Sequence, residues 1–285
     1  LGPDLSAANP SARHCEGDLD AARARECGYG VIWSIGLSKR DNSEIWVGTD
    51  DGVVRLTRDG GKSWANVTPK DLPTGGRVQW IDASPHRRGS AYYAVYRYLL
   101  GDYQPYIYRT DDYGATWKRL TDGTNGIPAD TPARVVREDP NREGLLYAGT
   151  EFGMYISFDD GGHWQPFFQN MPQVPINDIK IHRKDLLVAT QGRAFWIMDN
   201  LSVLHQITPA GELLWSADLP PNGGGHPCPP ILGYDRRVFV LGASGRGDGR
   251  ACQFAALAAA RRTSIKRGSR MWRRRYSSGS ALTRA

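Results

Sequence analysis

The chain has no long apolar run. Nothing in it approaches the roughly 18 apolar residues of a membrane-spanning helix, and the longest weakly apolar stretch, 254–260, is mostly alanine. No membrane span is therefore expected. The first residue is Leu1, with no basic-then-apolar leader behind it, so a targeting segment is either absent or already missing. Cysteine is scarce: Cys15, Cys27, Cys228 and Cys252 form no C-x-x-C pair and have no metal-ligand spacing with histidine. No metal and no cofactor is expected; a Cys15–Cys27 disulfide and free thiols both fit. H-E-x-x-H, the phosphate-binding loop, G-x-S-x-G and G-x-G-x-x-G in a βαβ setting are all missing, which disfavours metalloproteases, nucleotide hydrolases, esterases and dinucleotide enzymes. The formal net charge of +6 is concentrated in 261–275, which carries eight basic side chains and no acidic one. The rest is close to neutral, so any nucleic-acid argument rests on that tail alone, with Trp272 and Tyr276 as its stacking groups. Nucleic acid is not the expected partner.

What is abundant points the other way. Aromatics make up 10% of the chain, with nine Trp beside 33 Gly and 18 Pro, a composition of short strands and tight turns. An all-β fold follows. Three segments align without gaps: Thr57 to Trp64, Thr110 to Trp117 and Ser157 to Trp164, all reading [S/T]-x-D-x-G-x-[S/T/H]-W. Each part has a mechanical task in a hairpin turn. The hydroxyl and the carboxylate (Thr57 and Asp59, Thr110 and Asp112, Ser157 and Asp159) accept turn amides. Gly61, Gly114 and Gly161 supply a positive φ, and Trp64, Trp117 and Trp164 fill the space beneath. These aspartates are expected to be structural rather than catalytic.

The same order of strands surrounds each motif. Ile32–Ser38, Ile45–Thr49, Val53–Thr57 and Trp64–Val67 form the first unit. Val78–Ser84, Ala91–Tyr96 and Tyr106–Thr110 precede the second motif; Arg134–Glu138, Leu145–Thr150 and Met154–Ser157 precede the third. A fourth unit, Ile176–Ile181, Leu186–Thr190, Ala194–Met198 and Val203–Ile207, has Asp199-Asn200-Leu201 in place of the motif. Four short strands recurring roughly every 45 to 55 residues is the period of a β-propeller blade. The expectation is four blades over 30–208, a partial or incomplete ring.

At these residues the chain resembles the BNR/Asp-box propeller superfamily, including its sortilin-type and bacterial "glycosyl hydrolase" repeat members. IWVGTDDGVVRLTRDGGKSWANVTP (45–69), VVREDPNREGLLYAGTEFGMYISFDDGGHWQ (135–165) and DLLVATQGRAFWIMDNLSVLHQIT (185–208) carry the likeness, and LGPDLS (1–6) resembles the outer strand that ends a preceding blade. The resemblance implies an exported protein, secreted or periplasmic. It implies either a non-catalytic binding or scaffold propeller for a protein, peptide or glycan, or a fragment of a xyloglucan-cleaving glycoside hydrolase. Residues 7–29 depart from the pattern and read as a connector. Residues 209–285 read as a low-complexity basic tail, either disordered or the product of a shifted reading frame; RGD at 246–248 is a three-residue match of no weight.

Ligand chemistry is expected on the inner strands. Aligning them places Ile35, Ile81, Val136 and Ile179 at one core position, with Gly36, Asp82, Arg137 and Lys180 next to it and Ser34, Trp80, Val135 and Asp178 on its other side. Asp82, Arg137, Asp178 and Lys180 are then channel candidates, either as a mixed-charge binding surface or as salt bridges between blades. Arg193 and Glu151 are candidates for the mouth. A glycosidase needs two carboxylates roughly 5 to 9.5 Å apart; Asp82 and Asp178 lie two blades apart and are expected to exceed that range. The arginine triad and Tyr/Glu pair of a sialidase cannot be assembled.

Overall fold

In a computed structural model of the chain, the described residues are 5–6, 30–169 and 171–206, together with the backbone of four later strands. Blade 1 contains β1 (Ile32–Leu37), β2 (Ile45–Thr49), β3 (Val54–Thr57) and β4 (Ala65–Asn66). Blade 2 contains β5 (Arg77–Ala83), β6 (Ala91–Tyr96), β7 (Tyr106–Thr110) and β8 (Lys118–Arg119). Blade 3 contains β9 (Ala133–Glu138), β10 (Leu146–Thr150), β11 (Gly153–Ser157) and β12 (Gln165–Pro166). Blade 4 begins with β13 (Ile176–His182), β14 (Asp185–Thr190) and β15 (Phe195–Met198). Every sheet is antiparallel, and within each blade, through β15, each strand pairs with the next in the chain, so neighbouring strands of a blade are joined by hairpin connections. The fold is all-β, built of four-stranded propeller blades.

The fourth strand of blade 4 corrects the expectation for Val203–Ile207. Leu201–Gln206 is a 3-10 turn, and Leu201 and Leu204, three residues apart, are both buried under blade 4. Their spacing is that of a 3-10 turn rather than the alternation of a strand. The outer position is taken by β19 (Trp272–Arg275), which pairs with β15. Between them β16 (Pro227–Leu232), β17 (Val238–Ala243) and β18 (Cys252–Leu257) form a separate three-stranded sheet. The rest of 209–285, the 7–29 connector and the Cys15–Cys27 pairing lie outside the described residues. No described helix is long and apolar enough to cross a membrane.

The first strands of successive blades lie side by side, β1 against β5, β5 against β9 and β9 against β13. Ile81, Val136 and Ile179 are almost completely buried between blades, as their aligned position requires. Each such side chain contributes about 1.5–3 kcal/mol by leaving water. Trp46, Tyr92 and Tyr147, at one aligned site on the second strands, fill the blade interfaces from the other side. A register shift recurs near the start of every first strand, between Ile32 and Ser34, Val78 and Trp80, Ala133 and Val135, and Ile176 and Asp178. Each shift is a bulge that leaves Trp33, Gln79, Arg134 or Asn177 outside the ladder.

Candidate functional site

The Asp-box turns orient the molecule. In the first, the Thr57 hydroxyl donates to Asp59 Oδ1 at 2.8 Å and accepts the Gly61 amide at 2.8 Å, while Ser63 gives Asp59 its amide at 2.9 Å and its hydroxyl at 2.5 Å. Thr110, Asp112, Gly114 and Thr116 repeat this, as do Ser157, Asp159, Gly161 and His163. The hydrogen bonds from Ser63 hold the Asp59 carboxyl well below its usual range, and those from Thr116 lower Asp112. At Asp159 burial acts upward, but the His163 bonds prevail and the net shift is downward. Gly61, Gly114 and Gly161 have φ of +93°, +79° and +85°, the left-handed region where a side chain would be strained. Backbone bonds from Gly60 to Ser43, Tyr113 to Gly89 and Asp160 to Gly144 tie each box to the turn between the first two strands of its blade. The boxes therefore sit at one end of the blades, and the bulges and second hairpins at the other. Trp117 and Trp164 donate their indole N–H to Val67 and Leu120, each in the preceding blade, at 2.6 and 3.0 Å.

Near the axis the inner strands bring three of the channel candidates together. Arg137 on β9 donates from Nη1 to Asp82 Oδ1 on β5 at 3.0 Å, from Nη2 to Asp178 Oδ1 on β13 at 2.9 Å, and from Nε to the Ile179 carbonyl at 2.8 Å. Its guanidinium also lies over the Trp80 ring, 3.9 Å from the centroid. One side chain thus spans three blades. Arginine suits the place because its planar fork can meet two carboxylates in plane while stacking on a ring. The two acids come within the span of one guanidinium, closer than expected, because inner strands converge toward the axis and a step of two blades is short there. They face Arg137 rather than an open gap. Burial raises the Asp82 carboxyl above its usual range, opposed by the charges of Arg137, Lys39 and Lys180. Lys180 itself is exposed, and Arg193 lies apart, exposed on the β14–β15 turn with its carbonyl accepting the Trp196 indole at 3.0 Å.

The end opposite the boxes carries a second constellation. Glu151 accepts Arg134 Nε at 2.5 Å and the Tyr96 hydroxyl at 2.6 Å, and Arg134 Nη1 donates to Asn177 Oδ1 at 2.7 Å. Burial, then the bond to Glu151, pushes the Tyr96 phenol up to about 12. Beside it the connection between β6 and β7, residues 97–105, is longer than the equivalent turns 50–53, 151–152 and 191–194. Arg97 clamps its base, donating to Asp102 at 2.8 Å and to the carbonyls of Pro73, Thr74 and Gly75. Tyr96 stacks on Tyr98, and Tyr98 meets Tyr103 edge-on. Leu99 is 70% exposed and Leu100 and Phe152 are over half exposed. The exposed apolar and aromatic side chains therefore stand beside a fixed Arg–Glu–Asn network and outside the packed core. The sequence reading placed Glu151 here but passed over 97–105; its length against the other blades was the available signal.

No family model matches the chain, and no curated protein matches it. Solved structures similar to it include "YCF48 bound to D1 peptide" (15% identity, TM-score 0.44, 76% of this chain and 64% of that one). A GH74 xyloglucanase from Xanthomonas campestris is similar at 13% identity and TM-score 0.46, over 86% of this chain and 38% of that one. The extracellular domain of the putative hybrid two component system BT3049 from B. thetaiotaomicron is similar at 12% identity and TM-score 0.47, over 87% and 28%. The chain spans less than two thirds of each of these three. The site is therefore read from its own residues.

A groove of about 750 Å³ lies elsewhere, between blades 1 and 2 on the box side, lined by Arg58, Lys70, Asp71, Asp112, Tyr113 and Thr116 among others. Asp112 and Thr116 are committed to their turn and Arg58 stacks on Tyr113 at 3.8 Å, so its polar lining is largely engaged. Among the described residues no group of His, Cys, Asp and Glu could hold a metal ion.

Proposed function

We propose that the chain is a non-catalytic binding propeller of an exported protein, and that the mouth formed by loop 97–105, Glu151, Phe152 and Arg134 receives a peptide or protein segment. The observation that carries this is the state of the central acids: Asp82 and Asp178 share Arg137, and Glu151 is held by Arg134 and Tyr96. Glycoside hydrolysis needs one carboxyl free to give a proton and another open to water or the sugar. Carboxylates already engaged by arginines serve position and charge instead. The exposed Leu99 and Leu100 favour a peptide, whose apolar side chains they can cover. A glycan is the second reading, favoured by the exposed rings of Trp33 and Tyr98, which can stack on sugar faces.

The test is to present the full chain to a peptide array and a polysaccharide panel, measuring both retention and release of reducing ends. Saturable peptide binding that is lost in Leu99→Asp, with no sugar released, is the expected result. Release of reducing ends that disappears in Asp82→Asn or Asp178→Asn would overturn the reading in favour of a hydrolase.

A further inference from the structure

Blades 2, 3 and 4 each bury a knob, the residue just before the bulge of the first strand: Val78, Ala133 and Ile176, all fully buried. Opposite each knob the preceding blade offers a small residue on its second strand. A Cβ added to Gly48 would stand 2.3 Å from Val78 Cγ1, and one added to Gly149 would stand 2.6 Å from Ile176 Cγ2. Ala94, the corresponding residue of blade 2, already has a Cβ, and its knob is reduced to Ala133 in the same cluster. Glycine therefore takes a β-branched knob and alanine takes alanine. Two residues earlier on the same strand stand Trp46, Tyr92 and Tyr147, so the covering strand reads aromatic-x-small each time.

Blade 1 has the same knob, Ile32, and it is 48% exposed. Ile35, equivalent to the buried Ile81, Val136 and Ile179, is 57% exposed, and Leu37 is 65% exposed. Trp64, unlike Trp117 and Trp164, makes no indole hydrogen bond among the described residues. One fragment does lie on this face: the carbonyls of Leu5 and Ser6 accept Arg55 on β3 at 3.2 and 3.4 Å. In sequence Asp4-Leu5 matches Asp71-Leu72, and Leu72 packs on the core shared by blades 1 and 2.

We infer that the open face of β1 docks a further propeller blade, joined on the N-terminal side of Leu5, whose second strand carries an aromatic-x-Gly sequence. The β-branched Ile32 requires glycine in that strand. Blade 4 of a second copy would offer Leu187 and Ala189 at the two positions and does not meet the requirement.

The experiment uses Ile35→Cys in the full chain carrying Cys27→Ser, with alkylation followed by mass spectrometry of the tryptic peptide ending at Lys39, in which position 35 is then the one thiol. In the unfused chain the thiol should react as fast as an exposed one at every protein concentration, while Ile81→Cys stays unreactive and certifies the fold. Fusing an additional copy of 133–169 ahead of Leu5, in place of 1–4, should slow the reaction at least tenfold. Converting Gly149 of the appended copy to Ala should abolish most of that protection, and Ile32→Ala in the same fusion should restore it. A slow reaction that depends on concentration would assign the face to a second copy. A slow reaction at all concentrations would assign it to the chain's own remaining segments. Equal protection by the glycine and alanine fusions, or none by either, would overturn the knob rule or the docking itself.

Discussion

Removing Arg137 should unfasten three blades at once. In Arg137→Ala the chain loses the stack on Trp80, the Nε bond to the Ile179 carbonyl and both ion pairs. The neutral parts are worth about 1 kcal/mol for the carbonyl bond and about 1 kcal/mol for the ring contact. Breaking a fully buried ion pair costs about 3–5 kcal/mol. Asp82 and Asp178 keep 27% and 41% of their side-chain surface exposed, so solvent screens the stranded carboxylates and the charge contribution falls to about 1–2 kcal/mol. The sum is about 3–4 kcal/mol, read in urea unfolding followed by tryptophan fluorescence. The combination Arg137→Met with Asp82→Asn and Asp178→Asn removes the unpaired charge and should recover at least half of the loss. Arg137→Lys should recover less, because an ammonium cannot fork to two acids and stack. A loss below about 1 kcal/mol for Arg137→Ala, or a triple variant less stable than the single one, would refute the idea that this guanidinium ties the blades.

Introducing a Cβ at the knob contacts, Gly149→Ala, should cost about 1–3 kcal/mol by overpacking, and Ile176→Ala in the same chain should relieve part of it in a double-mutant cycle. For acid stability, the folded carboxyls of Asp59, Asp112 and Asp159 lie below their ordinary value of 3.8, so their contribution is complete above that pH and is lost as pH falls through the lowered folded values. Replacing all three with Asn should lower stability at pH 7 and flatten its decline below pH 3.8, as seen by circular dichroism across an acid series. Arg97→Ala should make 97–105 the first site of limited proteolysis while the unfolding midpoint of the rest changes little, since the clamp serves one loop; cleavage elsewhere first would count against it.

Most of the blade architecture was readable because alternating residues and box turns are local signals. The inner strand starting near Ile176 is recoverable from its alternation alone. The fourth strand of blade 4 was not, since Leu201 and Leu204 satisfy a strand's need for apolar residues but with the spacing of a 3-10 turn. The charges of Asp82, Arg137 and Asp178 were legible as a set. Their meeting at one guanidinium was not, because it depends on how closely strands converge at the axis, which no single strand records. Loop 97–105 was obscured by its own composition: Tyr98, Leu99 and Leu100 resemble core residues in a sequence, and only the fold shows them facing water.

The four bulges have a meaning for how the blades are fastened. Each ejects one residue, Trp33, Gln79, Arg134 or Asn177, from the ladder at the same height in its blade, and none of the four is fully buried. The positions that seal the blades are spoken for by steric fit, whereas three of these four make contacts along the rim: Arg134 bonds to Asn177 of the next blade, and Trp33 lies under the Arg77 guanidinium. A tryptophan, an amide, a guanidinium and another amide occupy the four positions. The rim is therefore fastened by polar side chains thrown out of the ladder, and the joints below it by apolar side chains held within it.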